Sequence, residues 1–255
     1  MNIVYSNSYR QKLKARVPMH GIYCFIPSFQ TVEILSHSGL DYLLIDLEHS
    51  ASSLTEFHMQ LAAMRGSGMS AVVRTPVLSP DAILPYLDLG LQNFIFTGVR
   101  DAAGALAAAS STRYPPQGSR GVGARMRAIG YRPDNHYYAQ ANDNIAVGIQ
   151  IETRQGLANI DAICAVEGVD LITFGPQDFA ADHGYLGNPK MPELVDAIRS
   201  GMARALTNGK SVGMTALTEA DASFYAAAGA SVLTVGADVQ MLSGASEALY
   251  KKYKS

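Results

Sequence analysis

The chain has 255 residues, 48% of them hydrophobic and 16% charged, with a formal net charge of −2. That length and apolar content suffice for one sizeable core in a single domain. The near-neutral balance gives no electrostatic footprint for nucleic acid or an anionic membrane surface, and no apolar run is long enough to span a bilayer.

The opening stretch, MNIVYSNSYRQKLKARVP, carries basic groups but no apolar core ending in a small-residue cleavage site. It does not read as a secretory signal, so a cytoplasmic protein is expected, with residues 1–18 as an N-terminal extension. Short strand-like runs then alternate with longer helical ones. GIYCFI (Gly21–Ile26) precedes a helical segment that Ser28 starts and Gly39 stops. YLLIDL (Tyr42–Leu47) precedes SSLTEFHMQLAAMRGSG, which has the same grammar, and SAVVR (Ser70–Arg74) precedes SPDAILPYLDLG. NFIFTG (Asn93–Gly98) leads into RDAAGALAAASS, followed by an irregular stretch rich in Pro, Gly, Arg and Tyr from Arg113 to Asn144. A loop that long in a compact domain is usually functional or at an interface. AVGIQIE (Ala146–Glu152), DLITFG (Asp170–Gly175), SVGMTA (Ser211–Ala216) and SVLTVG (Ser231–Gly236) follow, each with its helical partner, the last being DVQMLSGASEALYKKYK. The apolar residues of the strands run nearly without interruption, as parallel strands covered on both faces require. Eight such units predict a closed (β/α)8 barrel of one domain, with a doubly wound open sheet as the runner-up. Helices with so little charge hint at an oligomer. Cys24 and Cys164 form no CxxC pair and read as buried small apolar residues, not as a disulfide or a zinc site.

In such a barrel the active site lies at the carboxyl ends of the strands. Strand two ends in Asp46, Glu48 and His49, strand three in Arg74, and strand five in Gln150 and Glu152. Strand six runs into Gly175-Pro176-Gln177-Asp178. Glu152 and Asp178, each following a strand end on adjacent strands, form an all-oxygen pair suited to Mg2+ or Mn2+. A cation there would act as a Lewis acid on a 2-oxo acid. Arg74 would add a fixed positive charge beside a developing oxyanion. His49 would move a proton, oriented by a carboxylate, with Asp46 and Asp88 both candidates. Singly, each residue has an ordinary alternative: helix capping for Glu152 and Asp178, a structural polar role for His49, an ion pair for Arg74. Capping does not require all four to meet at one barrel end. No lysine other than Lys210, which precedes strand seven, lies near a strand terminus, so imine chemistry lacks a nucleophile. His20, His37, His58, His136 and His183 have no paired ligand spacing. RGVGARMRAIG lacks a phosphate-loop pattern; Arg120, Arg125 and Arg127 read as a solvated loop, or as groups meeting an anion or a neighbouring subunit.

Taken together, YLLIDLEHS, VVRTP, YPPQGSRGVG, IQIET, VEGVDLITFGPQDFAADHGYLGNP and VGADVQML resemble the HpcH/HpaI aldolase family from about Gly21 to Leu242. The resemblance implies a (β/α)8 barrel whose final helix packs on a neighbouring subunit, in a hexamer built as a trimer of dimers. It implies a divalent metal at Glu152 and Asp178, His49 as the base with a supporting carboxylate, and Arg74 steadying the enolate. Gln150 and the segment Gly175, Pro176, Gln177 would contact the oxo acid. The implied reaction is reversible cleavage of a 4-hydroxy-2-oxo acid to pyruvate, or a related 2-oxo acid, and an aldehyde. Oxaloacetate decarboxylation and carbon–carbon bond formation, as in citrate-forming enzymes or macrophomate synthase, are the alternatives within the family; a non-catalytic metabolite-binding barrel is the alternative outside it. The chain departs from the family pattern at Leu47, Thr97 and Gln177.

Overall fold

The structure, a computed structural model, describes residues 6–76 and 79–254. Eight parallel strands close into one barrel in chain order. They are β1 (Met19–Cys24), β2 (Tyr42–Asp46), β3 (Ser70–Thr75), β4 (Asn93–Phe96), β5 (Ala146–Ile151), β6 (Val169–Phe174), β7 (Ser211–Thr215) and β8 (Val232–Ala237). The helices are α1 (Ser8–Lys14), α2 (Phe29–Ser36), α3 (Leu54–Ala63), α4 (Pro80–Asp88), α5 (Ala102–Ser111), α6 (Asn135–Ala141), α7 (Arg154–Ala158), α8 (Ile160–Cys164), α9 (Pro176–Asp182), α10 (Pro192–Thr207), α11 (Glu219–Ala227) and α12 (Asp238–Lys254). The eight expected strands are all present, and the open-sheet alternative is excluded by the pairing of β1 with β8. Among the described residues no helix is long and apolar enough to cross a membrane.

Most strand ends fall within two residues of expectation, and two of the differences have identifiable reasons. β1 stops at Cys24, not Ile26, because the Asp238 carboxylate accepts from the amides of Phe25 and Ile26 at 3.0 and 2.9 Å and takes them out of the ladder. The single helix expected after β5 breaks into α7 and α8 at Asn159, which departs from helical geometry with φ −90° and ψ 8°. Its side-chain amide donates to the Arg100 carbonyl.

Residues alternate between the lumen and the helix-facing side of each strand. Leu43, Ile45, Val73, Ile149, Ile172 and Val212 pack outward against the helices. Tyr42, Leu44, Val72, Ile95, Leu171 and Val232 fill the lumen. The segment expected to be a plain extension closes the barrel floor. Its residues 1–5 lie outside the described residues, but α1 buries Tyr9 and Leu13 against the lumen side chains. Asn7 caps α1 by accepting from the Arg10 amide, and its side-chain amide donates to Asn93 at 2.7 Å and to the Asn144 carbonyl at 2.9 Å. Arg10 pairs with Asp170 and Lys12 with Asp41. With the floor sealed, the carboxyl end of the barrel is the open one.

The 113–144 segment is more ordered than its composition suggested. It contains a 3-10 turn at Arg127–Ile129 and helix α6, with a small core of Tyr114, Met126, Ile129, Tyr137 and Ala141. Arg120 is not solvated, as the sequence reading allowed, but 2% exposed. Its guanidinium lies 4.4 Å from the Tyr114 ring centre and donates to the Tyr137 hydroxyl at 3.0 Å. A cation over an aromatic face recovers part of its lost hydration.

Candidate active site

At the carboxyl end of β2, Asp46 is wholly buried. It sits in register with Arg74 on β3, and its two oxygens accept from Arg74 Nε at 3.0 Å and Nη2 at 2.7 Å. This fork geometry fixes the guanidinium plane. The face of Arg74 lies 5.1 Å from the Tyr23 ring centre. Burial alone would make Arg74 easier to deprotonate, but the bonds to Asp46 and the charges of Tyr23, Asp46 and Glu48 reverse this and raise its pKa further. Arg74 is therefore a permanent, immobile cation.

Glu48 faces the same region. Its Oε1 accepts from the Thr97 hydroxyl at 2.6 Å. Its Oε2 is buried without a hydrogen-bond partner, 3.5 Å from Arg74 Nε and 3.8 Å from His49 Nε2. Asp46, expected as one possible partner of His49, is instead committed to Arg74 and the Glu48 amide. Asp88, the other, is the last residue of α4, which returns toward the amino end of β4. There it pairs with Arg120 at 3.5 Å, so within one chain it stands away from the mouth where His49 lies. The carboxylate beside His49 is Glu48. His49 itself is 59% exposed in its side chain.

Across the mouth, Glu152 is 8% exposed. Its Oε1 accepts from Gln150 Nε2 at 2.6 Å and its Oε2 from the Gly98 amide at 3.0 Å. Burial raises its pKa; the two hydrogen bonds oppose this, and the charges of Glu48 and Asp178 add to the rise. Glu152 is thus close enough to feel the charges of both Glu48 and Asp178. Gly175 stands against Glu152 because its amide donates to the Ile151 carbonyl at 3.0 Å. A Cβ there would sit 2.9 Å from Glu152 Cγ. Asp178 lies in the first turn of α9.

A cavity of about 310 Å³ opens above these groups. Arg74, Gln150, Gly175, Pro176, Gln177 and Asp178 line it, as the sequence reading placed them. Glu152 lies behind Gly175, while His49 stands off the cavity wall, with Glu48 between it and the lining residue Arg74. Tyr23, Phe25, Thr215, Lys190, Asp221 and Tyr225 also line it, and these the sequence reading missed. Tyr23 shares a hydrogen bond with Thr215 at 3.1 Å. Lys190 lies on the turn before α10, beyond α9 and away from any strand end, so its position in the sequence carries no signal for the mouth. Its side chain is 76% exposed and ion-paired to Asp221, unlike the desolvated amine that imine chemistry needs.

The donor set fits a hard divalent cation. Glu152 and Asp178 offer only oxygens, their charges repel in the cation's absence, and Glu48 Oε2, which accepts no hydrogen bond, adds a further carboxylate nearby. Among the described residues no three acidic, His or Cys side chains converge on one point. Water and substrate oxygens would complete the shell, as Mg2+ prefers.

A buried fork-held arginine and a carboxylate cluster at the carboxyl end of a (β/α)8 barrel define a class: barrel enzymes whose mouth carries a fixed cation able to meet a developing oxyanion. The particular family follows from comparison. The family model for HpcH/HpaI aldolase/citrate lyase matches residues 21–245. A 5-keto-4-deoxy-D-glucarate aldolase from Citrobacter koseri is 40% identical over 255 residues, covering 99% of this chain and 98% of that protein. The crystal structure of an HpcH/HpaI aldolase/citrate lyase family protein from Burkholderia cenocepacia superposes with a TM-score of 0.93 at 32% identity, covering 98% of this chain and 100% of that one. That of an HpcH/HpaI aldolase from Desulfitobacterium hafniense gives 0.90 at 29% identity, with 96% of each chain covered. The chain belongs to the HpcH/HpaI aldolase/citrate lyase family and is a carbon–carbon lyase.

Proposed function

We propose that the protein is a divalent-metal-dependent aldolase, using Mg2+ or Mn2+, that reversibly cleaves a 4-hydroxy-2-oxo acid to pyruvate or a related 2-oxo acid and an aldehyde. The observation that carries the reading is the buried Glu152 carboxylate, crowded by Glu48 and Asp178 beside a fixed Arg74. The substrate of the Citrobacter relative, a 5-keto-4-deoxy-D-glucarate, is itself a 4-hydroxy-2-oxo acid when counted from its keto end, and we place it first among candidates.

Glu152 and Asp178 would hold the cation, which supplies Lewis-acid polarisation of the 2-oxo oxygen when bound. Gln150 holds Glu152 in place and contributes to the cavity wall beside the oxo acid. Arg74 offers Nη1, which has no described partner, to the negative charge that develops on the 2-oxo oxygen as the bond breaks. His49 would serve as the base for the 4-hydroxyl proton once its exposed ring turns toward the cavity; the C3–C4 bond pair moves into the enolate, and the proton is returned to C3. Glu48 stabilises the imidazolium while it carries that proton.

The test is metal removal. Chelation should abolish cleavage and Mg2+ or Mn2+ restore it, while Glu152→Ala should lose both turnover and calorimetric metal binding. Parental activity in Glu152→Ala would overturn the reading. Release of CO2 from oxaloacetate without aldol cleavage would favour the decarboxylase alternative.

We extend the proposal to a homo-oligomer, a trimer of dimers, in which α12 docks on a neighbouring subunit. In support, only Asp238 of α12 is buried, while Met241, Leu242, Leu249, Tyr250 and Tyr253 stand exposed. A helix with that much free apolar surface has an interface to fill.

A further inference from the structure

The register of β1 against β8 joins the last helix to the cavity wall. Tyr23 pairs with Ala237, and both line the cavity. β8 ends at Ala237, so Asp238, the first residue of α12, lies beside the chain as it leaves β1. Asp238 is 5% exposed, and its carboxylate meets three amides. Oδ1 accepts from Val239 at 2.7 Å and from Phe25 at 3.0 Å, and Oδ2 accepts from Ile26 at 2.9 Å. The first of these bonds stays within α12. The other two fix a different element, and a charged acceptor makes them strong. Phe25, held at its amide, also lines the cavity. Its ring stacks on that of Tyr23, with centres 5.2 Å apart and planes 21° apart. The other neighbour of the Tyr23 ring is the Arg74 guanidinium, 5.1 Å from its centre. Asp46 thus fixes the edge of that guanidinium, and Tyr23 supports its face.

We infer that Asp238 is a positioning residue for the active site, acting through Phe25 and Tyr23 on the guanidinium of Arg74. The inference rests on the proposed aldolase function, in which Arg74 faces the charge that develops on the 2-oxo oxygen. A residue that only capped α12 would need one acceptor for a helix amide, and a serine supplies that as well. Asp238 spends its remaining capacity on the connection between β1 and α2. Without those two bonds the Phe25 ring is released from Tyr23. Tyr23 stays tethered at its hydroxyl, 3.1 Å from the Thr215 hydroxyl, so the freedom it gains is a tilt about that point, under the guanidinium. A small tilt there matters, because catalytic groups tolerate little misplacement. Since Asp238 opens α12, the same contact ties the cavity wall to the helix proposed to dock on a neighbouring subunit.

Two variants separate the clamp from the cap. Asp238→Ser keeps an acceptor for the α12 amide but is too short to reach Phe25 and Ile26. Asp238→Asn keeps the shape but sets a donor NH2 against the amides that the second oxygen accepts from. The readout is deuterium uptake into the methyl group of pyruvate in heavy water with Mg2+, followed by NMR, which reports enolate formation without an aldehyde. Both variants should exchange roughly tenfold more slowly than the parent, through kcat more than KM. Calorimetric Mg2+ affinity, set by Glu152 and Asp178, should stay parental, which a general loosening of the fold would not allow. Phe25→Leu keeps the backbone bond but removes the ring, and should slow exchange by itself. Adding Asp238→Ser to it should cost little more, because the two residues act in one chain of contacts. Parental exchange in a folded Asp238→Ser, or losses that multiply in the double variant, overturns this inference alone. If neither Asp238 variant folds, parental exchange in Phe25→Leu overturns it. A parent enzyme that neither exchanges pyruvate protons nor cleaves a 4-hydroxy-2-oxo acid overturns the aldolase reading and this inference with it.

Discussion

Gly175→Ala isolates the positioning of the site from its composition. The substitution removes no functional group, and the backbone permits it, since φ at Gly175 is −101°. The added Cβ would lie 2.9 Å from Glu152 Cγ and 3.0 Å from both Glu152 Oε1 and Gln150 Nε2. Carbon atoms pack at about 3.5–4.0 Å, so Glu152 must retreat by roughly 0.5–1 Å. Overpacking of this size costs about 1–3 kcal/mol, or a Tm loss on the order of 2–4 °C per kcal/mol for a chain this long. Catalytic groups tolerate only about 0.5 Å of misplacement, and a shift near 1 Å can cost about 100-fold in rate. We expect kcat/KM to fall about 100-fold and Mn2+ affinity to fall roughly 10- to 100-fold, with the circular dichroism spectrum unchanged. Calorimetric Mn2+ titration, thermal melts and steady-state cleavage on one preparation test this. Parental metal affinity and turnover in Gly175→Ala would show that Glu152 and Gln150 need not stand where they do, and the proposed metal site would fall.

Arg74→Lys keeps the charge but loses the fork to Asp46, and should lower kcat about 100-fold with a stability loss of about 1–2 kcal/mol, measured by cleavage kinetics and denaturant melts. Thr97→Val removes the hydroxyl that donates to Glu48 at 2.6 Å; it should depress kcat more than it raises KM, while Thr97→Ser restores most of the loss. Metal binding should weaken with falling pH sooner than an ordinary glutamate would cause, because Glu152 is raised above 4.5 and a proton competes with the cation. In the metal-free protein Glu152 binds its proton more tightly folded than unfolded, so its contribution to stability declines as pH rises through that window. The gain in Tm on adding Mn2+ should therefore grow with pH there. Ending the chain at Asp238 keeps the cap on Phe25 and Ile26 but removes the exposed face of α12, and should yield a folded barrel of lower mass by light scattering.

Much of the fold was legible because the deciding information is local. Apolar runs of strand length, alternating with helices capped by Ser28, Ser53, Asp101, Thr153 and Thr218, leave few alternatives to a closed barrel once there are eight of them. That architecture brings strand ends together, which is why Arg74, Gln150, Gly175 and Asp178 could be placed at one cavity from residue types and order alone. The role of α1 was not legible, since burying Tyr9 and Leu13 depends on a lumen that exists only after closure.

The sequence by itself determined the elements, their order and the residues that the barrel mouth would hold in common. Only the tertiary structure decided who pairs with whom among them. Asp46 binds Arg74 instead of His49 because neighbouring strands set them in register. Glu48 takes the place beside His49, and Asp88 is carried off by the return of α4. Lys190 and Asp221, separated by 31 positions, meet because two different βα units fold over the same rim. A carboxylate has the same composition wherever it lies; its partner and its charge are set by what the folded chain puts within a few ångströms of it, and by how much water that removes.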